Sequence, residues 1–185
     1  VKFIEEGDDA KWIVPSAFID GWQETLFDDS DWSEANTGIG YDNSTKYIPH
    51  LGEGGDVKAA MRGVNASIYI RVPFILNDAS GVSDLILRMK WEDGFIAYLN
   101  GTKIESLSAP ENPVWNSTSS SNRSNENDVI TFFDYPVTGP LQKGQNILAI
   151  QGLNGSQNSS DFLVSPELTA KKTDLNSPKN GYFLN

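Results

Sequence analysis

The sequence predicts an all-β protein, an antiparallel β-sandwich of jelly-roll type, and three observations carry that expectation. Residues 67–74 alternate, with Ile70, Val72 and Phe74 on one side and Tyr69, Arg71 and Pro73 on the other. Residues 84–91 alternate more cleanly, setting Leu85, Leu87, Met89 and Trp91 against Asp84, Ile86, Arg88 and Lys90. A period of two places one face on a core and the other in water. Third, Asn100-Gly101 follows the apolar run 95–99, and this pair is preferred in two-residue hairpins, whose two positions both need positive φ. With the turn at 91–94, the stretch 67–101 reads as a three-stranded meander with one wet face.

The remaining elements follow in chain order. Residues 2–5 and 11–14 form short strands, the second stopped by Pro15. Residues 15–55 are rich in Asp, Ser, Gly and Asn, with Phe18, Trp22, Phe27, Trp32, Tyr41 and Tyr47 spaced through them. A bare loop of that length is unusual, so the rings are expected to pack this excursion onto the sandwich. Residues 57–61 suit one helical turn. After the hairpin come a strand at 102–106 and an Asn- and Ser-rich loop at 109–127 whose large apolar residues are Val114 and Trp115. Strands follow at 129–135, 145–151 and 161–170, the last interrupted by Pro166. About eight to ten strands with almost no helix is the pattern of a sandwich. We expect one domain over 1–170 and a linker-like tail over 171–185, where composition turns polar.

Composition narrows the function classes. Fourteen basic and 25 acidic residues give a net charge of -11 with no Lys or Arg run, so nucleic acid and anionic membrane surfaces are poor partners. With no cysteine, disulfides and thiolate metal sites are excluded. No apolar segment approaches the length of a membrane span, and no signal peptide is recognisable. Val1 in place of Met leads us to expect a piece of a longer protein.

Several segments resemble known modules. Tyr69-Ile-Arg-Val-Pro-Phe, Leu85-Ile-Leu-Arg-Met and Ala97-Tyr-Leu-Asn-Gly together are similar to the sugar-binding jelly-roll that accompanies bacterial β-galactosidases. Gly144-Gln-Asn-Ile-Leu-Ala-Ile fits the strand after that family's G-x-N-x-L-A turn. A closer resemblance covers residues 10–170. Phe27-Asp-Asp-Ser-Asp-Trp32, Thr37-Gly-Ile-Gly-Tyr41, the 93–101 segment and Ser160-Asp-Phe-Leu-Val-Ser-Pro-Glu-Leu168 resemble a module of very large secreted bacterial surface proteins. Those proteins also carry lamin-tail-like and spore-coat-kinase-like modules. The resemblance implies a galactose-binding-like, non-catalytic accessory domain, extracellular or at the cell surface. Its partners would be a glycan or polysaccharide and the neighbouring modules of its parent. Such sandwiches often hold a structural calcium where the chain ends meet, to which Glu5, Glu6 and Glu167 would contribute oxygens.

Read residue by residue, the chain offers little for catalysis. His50, its one histidine, has no Ser or Asp motif placed to form a triad. Glu92 and Asp93 are neighbours on a tight turn and point apart, whereas a glycosidase needs two carboxylates facing across a cleft; a turn-forming Asp ahead of Gly94 is the simpler account. Asp28, Asp29 and Asp31 offer oxygens to Ca2+, or equally form a capped turn around Ser30. For sugar recognition an aromatic face stacks on a pyranose while amides and carboxylates bond its hydroxyls. Trp115 is the outlying tryptophan, with Asn116 beside it, and Asn154 and Asp161 lie on a second polar loop. Trp22, after Asp20-Gly21, is expected to be exposed. The candidate ligand contacts are therefore Trp115, Asn116, Asn154, Asp161, Glu92, Asp93 and Trp22. The competing account of Trp115 is a ring that folds inward to pin its own loop.

Overall fold

A computed structural model describes residues 1–172; the expected tail lies, from residue 173 onward, outside the described residues. Two antiparallel sheets pack face to face. One contains β1 (Lys2–Ile4), β4 (Ile39–Asp42), β6 (Val82–Glu92), β9 (Phe133–Pro136) and β11 (Asp161–Lys172). The other runs in the order β3 (Ser33–Asn36), β2 (Asp9–Ile13), β5 (Ser67–Leu76), β10 (Gly144–Leu153), β7 (Gly94–Leu99) and β8 (Thr102–Leu107). We call these the five- and six-stranded sheets. Their inner faces meet in one apolar core, with Ile70, Val72, Leu87, Met89, Phe95, Leu148, Ile150, Phe162 and Val164 all fully or nearly fully buried. Each such side chain stabilises the fold by about 1.5–3 kcal/mol relative to exposure.

The meander expectation is corrected. β5, β6 and β7 are not neighbours in one sheet: β6 pairs with β11 and β9, whereas β7 pairs with β10 and β8. At Glu92–Asp93 the chain crosses from one sheet to the other instead of folding back beside itself. Alternation reports which residues face a core, and both sheets share one, so it cannot assign a strand to a sheet. The Asn100-Gly101 hairpin stands as expected, with φ of 49° and 84° and Leu99 opposite Thr102.

Other boundaries move for physical reasons. Val129 ends a short helix, α2 (Glu126–Val129), so the strand expected over 129–135 begins only at Phe133. Asn125 caps that helix through its side chain, which accepts from the Asn127 N–H. The 15–55 excursion contains β3 and β4, hidden in the sequence because SEAN has no strong strand former and IGYD alternates Ile39 and Tyr41 with Gly40 and Asp42. The expected helical turn is α1 (Lys58–Met61). Pro166 does not interrupt β11. It stands opposite Met89 of β6, and on its other side it falls between the segments that pair with β4 (Asp161–Val164) and β1 (Leu168–Thr169). A proline, having no N–H to donate, is tolerated at such a gap.

The outer face of the six-stranded sheet is covered. From Pro15 the excursion runs over it toward the Asn100 hairpin, where Thr25 Oγ1 donates to Asn100 Oδ1 at 3.1 Å, and then returns to β3. Arg71, 1% exposed, holds this cover down. Its Nε donates to Asp29 Oδ2 at 2.7 Å, and its terminal nitrogens donate to the carbonyls of Trp22, Glu24 and Phe27.

Candidate functional site

The strand order brings three polar segments to one end of the sandwich: the Glu92–Asp93 crossing, the 154–160 loop between β10 and β11, and the long loop after β8. Buried side chains hold the long loop in place. Gln151 Nε2 donates to the Val114 carbonyl at 2.8 Å, Ser67 Oγ to the Ser117 carbonyl at 2.7 Å, and Asn65 Nδ2 to the Trp115 carbonyl at 3.4 Å. Gln151, Ser67 and Asn65 are all buried. The loop is also fixed at its far side, where the Ser119 N–H reaches the Asn154 carbonyl at 3.0 Å.

Trp115 is thus presented from a pinned backbone. Its ring is half-buried, leaning on a cluster of Trp22, Trp32, Tyr69 and Ala149 on the covered face. Trp115 lines two hollows. One, a depression of about 310 Å³, is also lined by Asn65, Asn116, Thr118, Ser156 and Gln157, with Val64 and Ala66. The second, a cleft of about 160 Å³, is also bordered by Phe18, Asp20, Gln23, Tyr69, Tyr98 and Val114. Asn116 is exposed on the loop. Trp22 is not. It is 6% exposed, stacked on Tyr69 at 4.0 Å with 6° between planes, and edge-on to Tyr98, which corrects the expectation of an exposed ring. The polar residues around Trp22 gave no sign of the strands beneath it.

The other expected contacts gather at this end but are occupied by the protein itself. Asp93, 5% exposed, accepts the N–H groups of Arg123 (2.7 Å) and Gly155 (2.8 Å), tying the two loops together. Asn154, fully buried, donates to Tyr41 Oη at 3.1 Å and to the Asp161 carbonyl at 2.9 Å. The Asp161 carboxylate accepts from Ser159 and Ser160 hydroxyls, and burial pushes its pKa up. Glu92, 6% exposed, is the outlier. Burial first and Asp161 second push its pKa up to about 8, with Asp93 and Asp42 adding to the effect. Tyr47 lies close enough to influence it, yet neither Tyr47 Oη nor Glu92 Oε2 completes a hydrogen bond of normal geometry.

The residues considered for calcium are dispersed. Asp29 is held by Arg71 and by Lys11 at 3.3 Å, Glu167 by Arg88, and Glu5 by Lys2 at 3.4 Å. Asp28 accepts from the Ser30 N–H at 3.0 Å, and the hydrogen bonds from Ser30 hold its carboxyl below the usual range. Asp31 is exposed. Among the described residues no group of three or more His, Asp or Glu side chains is arranged to hold a metal ion.

No protein-family model and no curated protein matches the chain. Solved structures do. A Bacteroides uniformis β-glucuronidase 2, covalently bound to cyclophellitol-6-carboxylate aziridine, and a second Bacteroides uniformis β-glucuronidase structure each align with 89% of this chain. In both cases the TM-score is 0.51 at 13% identity. What is shared is the fold. The chain spans 18% of the length of each of those proteins.

Sequence reasoning singled out Trp115 and Asn116 because a large ring stood alone in a polar loop, and the structure places both at the depression of about 310 Å³. It missed Phe18, Ser156 and Gln157. Phe18 was visible only as one ring among six in the excursion, and nothing local marked it as the one left 73% exposed.

Proposed function

We propose that this chain is a non-catalytic, galactose-binding-like module of a larger secreted bacterial protein, and that it binds a glycan at the Trp115 end of the sandwich. The observation that carries the reading is Trp115 itself, half-exposed on a loop fixed by three buried side chains and facing a depression lined by amides and hydroxyls. Fixing the loop before binding reduces the ordering cost of association. The fold likeness to less than a fifth of each β-glucuronidase supports a carbohydrate-related accessory role. Among the described residues no helix is long and apolar enough to cross a membrane.

Affinity gels of neutral polysaccharides, followed by calorimetry, test the reading. Trp115→Ala should lose roughly 2 kcal/mol, about 30-fold in Kd, as aromatic hot spots do, while melting near the wild-type temperature. A variant that folds and binds a confirmed ligand as tightly as before overturns it, and so does one that unfolds. A second reading, a module that docks its neighbours and binds no sugar, is favoured by Leu26, 94% exposed beside the Asn100 hairpin.

A further inference from the structure

Resting on the glycan-binding reading, we infer that the Trp115 site takes the interior of an uncharged oligosaccharide chain, in preference to a single terminal sugar or an acidic polymer. The first ground is shape. Trp115 lines both depressions, so the two hollows share this residue. A pocket for a chain terminus needs a wall past its aromatic platform. Here the same residue also borders the cleft lined by Phe18 and Val114.

The second ground is the apolar surface along the same path. Phe18 is 73% exposed, Val64 63% and Val114 55%, and all three line the hollows beside Trp115. Exposed apolar groups scattered singly are ordinary, whereas these three gather at two hollows that share Trp115, as at a binding surface. Phe18 would serve as a second platform, one sugar or more away from Trp115. Asn116 and Gln157 in one hollow and Gln23 in the other offer amides to the hydroxyls of successive units. The groove floor is preformed, since Trp22 and Tyr69 beneath it are stacked and buried.

The third ground is charge. Among the described residues no Lys or Arg lines either hollow, and Asp20 is the one charged residue in their linings. A uronate or sulfate seated there would lose water without gaining a cation, in a protein of net charge -11. Burying a charge without a partner is costly. Hydroxyls meet no such cost, because amides both donate and accept.

The test uses cello-, manno- and xylo-oligosaccharides from the monosaccharide to the hexasaccharide, together with polygalacturonate, at low and high salt. For whichever neutral series binds, affinity should climb with chain length and then level, the plateau exceeding the monosaccharide by at least roughly tenfold. Phe18→Ala should lower the plateau while leaving the shortest bound member unchanged, and polygalacturonate should fail to bind at either salt concentration. A monosaccharide that binds as tightly as the hexasaccharide, an unchanged plateau in Phe18→Ala, or preferential binding of polygalacturonate overturns the inference and leaves the glycan-binding reading standing. A folded protein that binds none of these probes, nor any polysaccharide in the gels, removes both.

Discussion

Arg71 and Arg88 occupy equivalent places, each the outward-pointing arginine of a long alternating strand, β5 in the six-stranded sheet and β6 in the five-stranded one. Arg71 is sealed beneath the 15–32 excursion, with an acidic partner and three backbone carbonyls fixed around it. Arg88 remains partly exposed, bridging Glu167 and Asp134 and lying 4.9 Å over the Phe132 ring. The same sequence pattern thus gives a sealed structural bolt on one outer face and, on the other, a partly exposed arginine that pairs with the buried Glu167 and the exposed Asp134. The difference teaches that a polar outward residue does not imply a wet face. What decides is whether a distant segment returns to cover it, and here the covering segment also carries Phe18 and Trp22 to the candidate site.

The largest effect expected from this contrast is at Arg71. Arg71→Ala leaves Asp29 without its closest cation and strips donors from three backbone carbonyls, so it should lose about 3–5 kcal/mol; Arg88→Ala frees the exposed Asp134 but leaves the buried Glu167 without its cation, and should lose less, about 1–3 kcal/mol. Urea denaturation of the two variants measures both. Equal losses would erase the distinction between the faces.

Gly101→Val probes the far edge of the cover. Its φ of 84° is costly for a β-branched residue, and a Cβ there would crowd the Glu24 carboxylate oxygens on the excursion. The loss should exceed about 1 kcal/mol. A melting temperature equal to wild type would contradict the hairpin assignment.

Glu92 sharpens the comparison within the five-stranded sheet, because it shares the outward parity of Arg88 yet is buried. Its folded pKa, about 8, is raised above the ordinary 4.5, so the folded state holds a proton that the unfolded chain releases first. That contribution is complete below pH 4.5 and is lost as pH rises toward and through 8, with a slope of up to about 1.4 kcal/mol per pH unit for one proton. Glu92→Gln should flatten this part of the stability profile. A profile that keeps its slope in the variant would assign the proton elsewhere.

The smallest expected effect concerns Ca2+. Asp29, Glu167 and Glu5 already have cationic partners, so melting curves in millimolar calcium and in chelator should nearly superimpose. A structural ion present at 100 times its Kd would instead add about 2.7 kcal/mol, and an increase of that size would restore calcium to the Asp28–Asp31 turn or the Glu5 and Glu167 region.

Much of this protein was legible residue by residue. Alternation in β5 and β6 set their inner faces, and Asn100-Gly101 set a hairpin through the backbone angles it permits. These features depend on near neighbours in the chain, so local chemistry determines them. Trp115 and Asn116 stood out as candidates for a related reason, since nothing near them in sequence accounts for a large ring in a polar loop; the aromatic cluster it leans on comes from distant segments. The tertiary structure alone decided that β5, β6 and β7 alternate between sheets, that Trp22 is buried while Phe18 is not, and that Asp93 and Asn154 clamp loops together. Each of those outcomes depends on contacts between residues far apart in sequence, where pairing across the sandwich, and not the identity of the flanking residues, fixes what a side chain can reach.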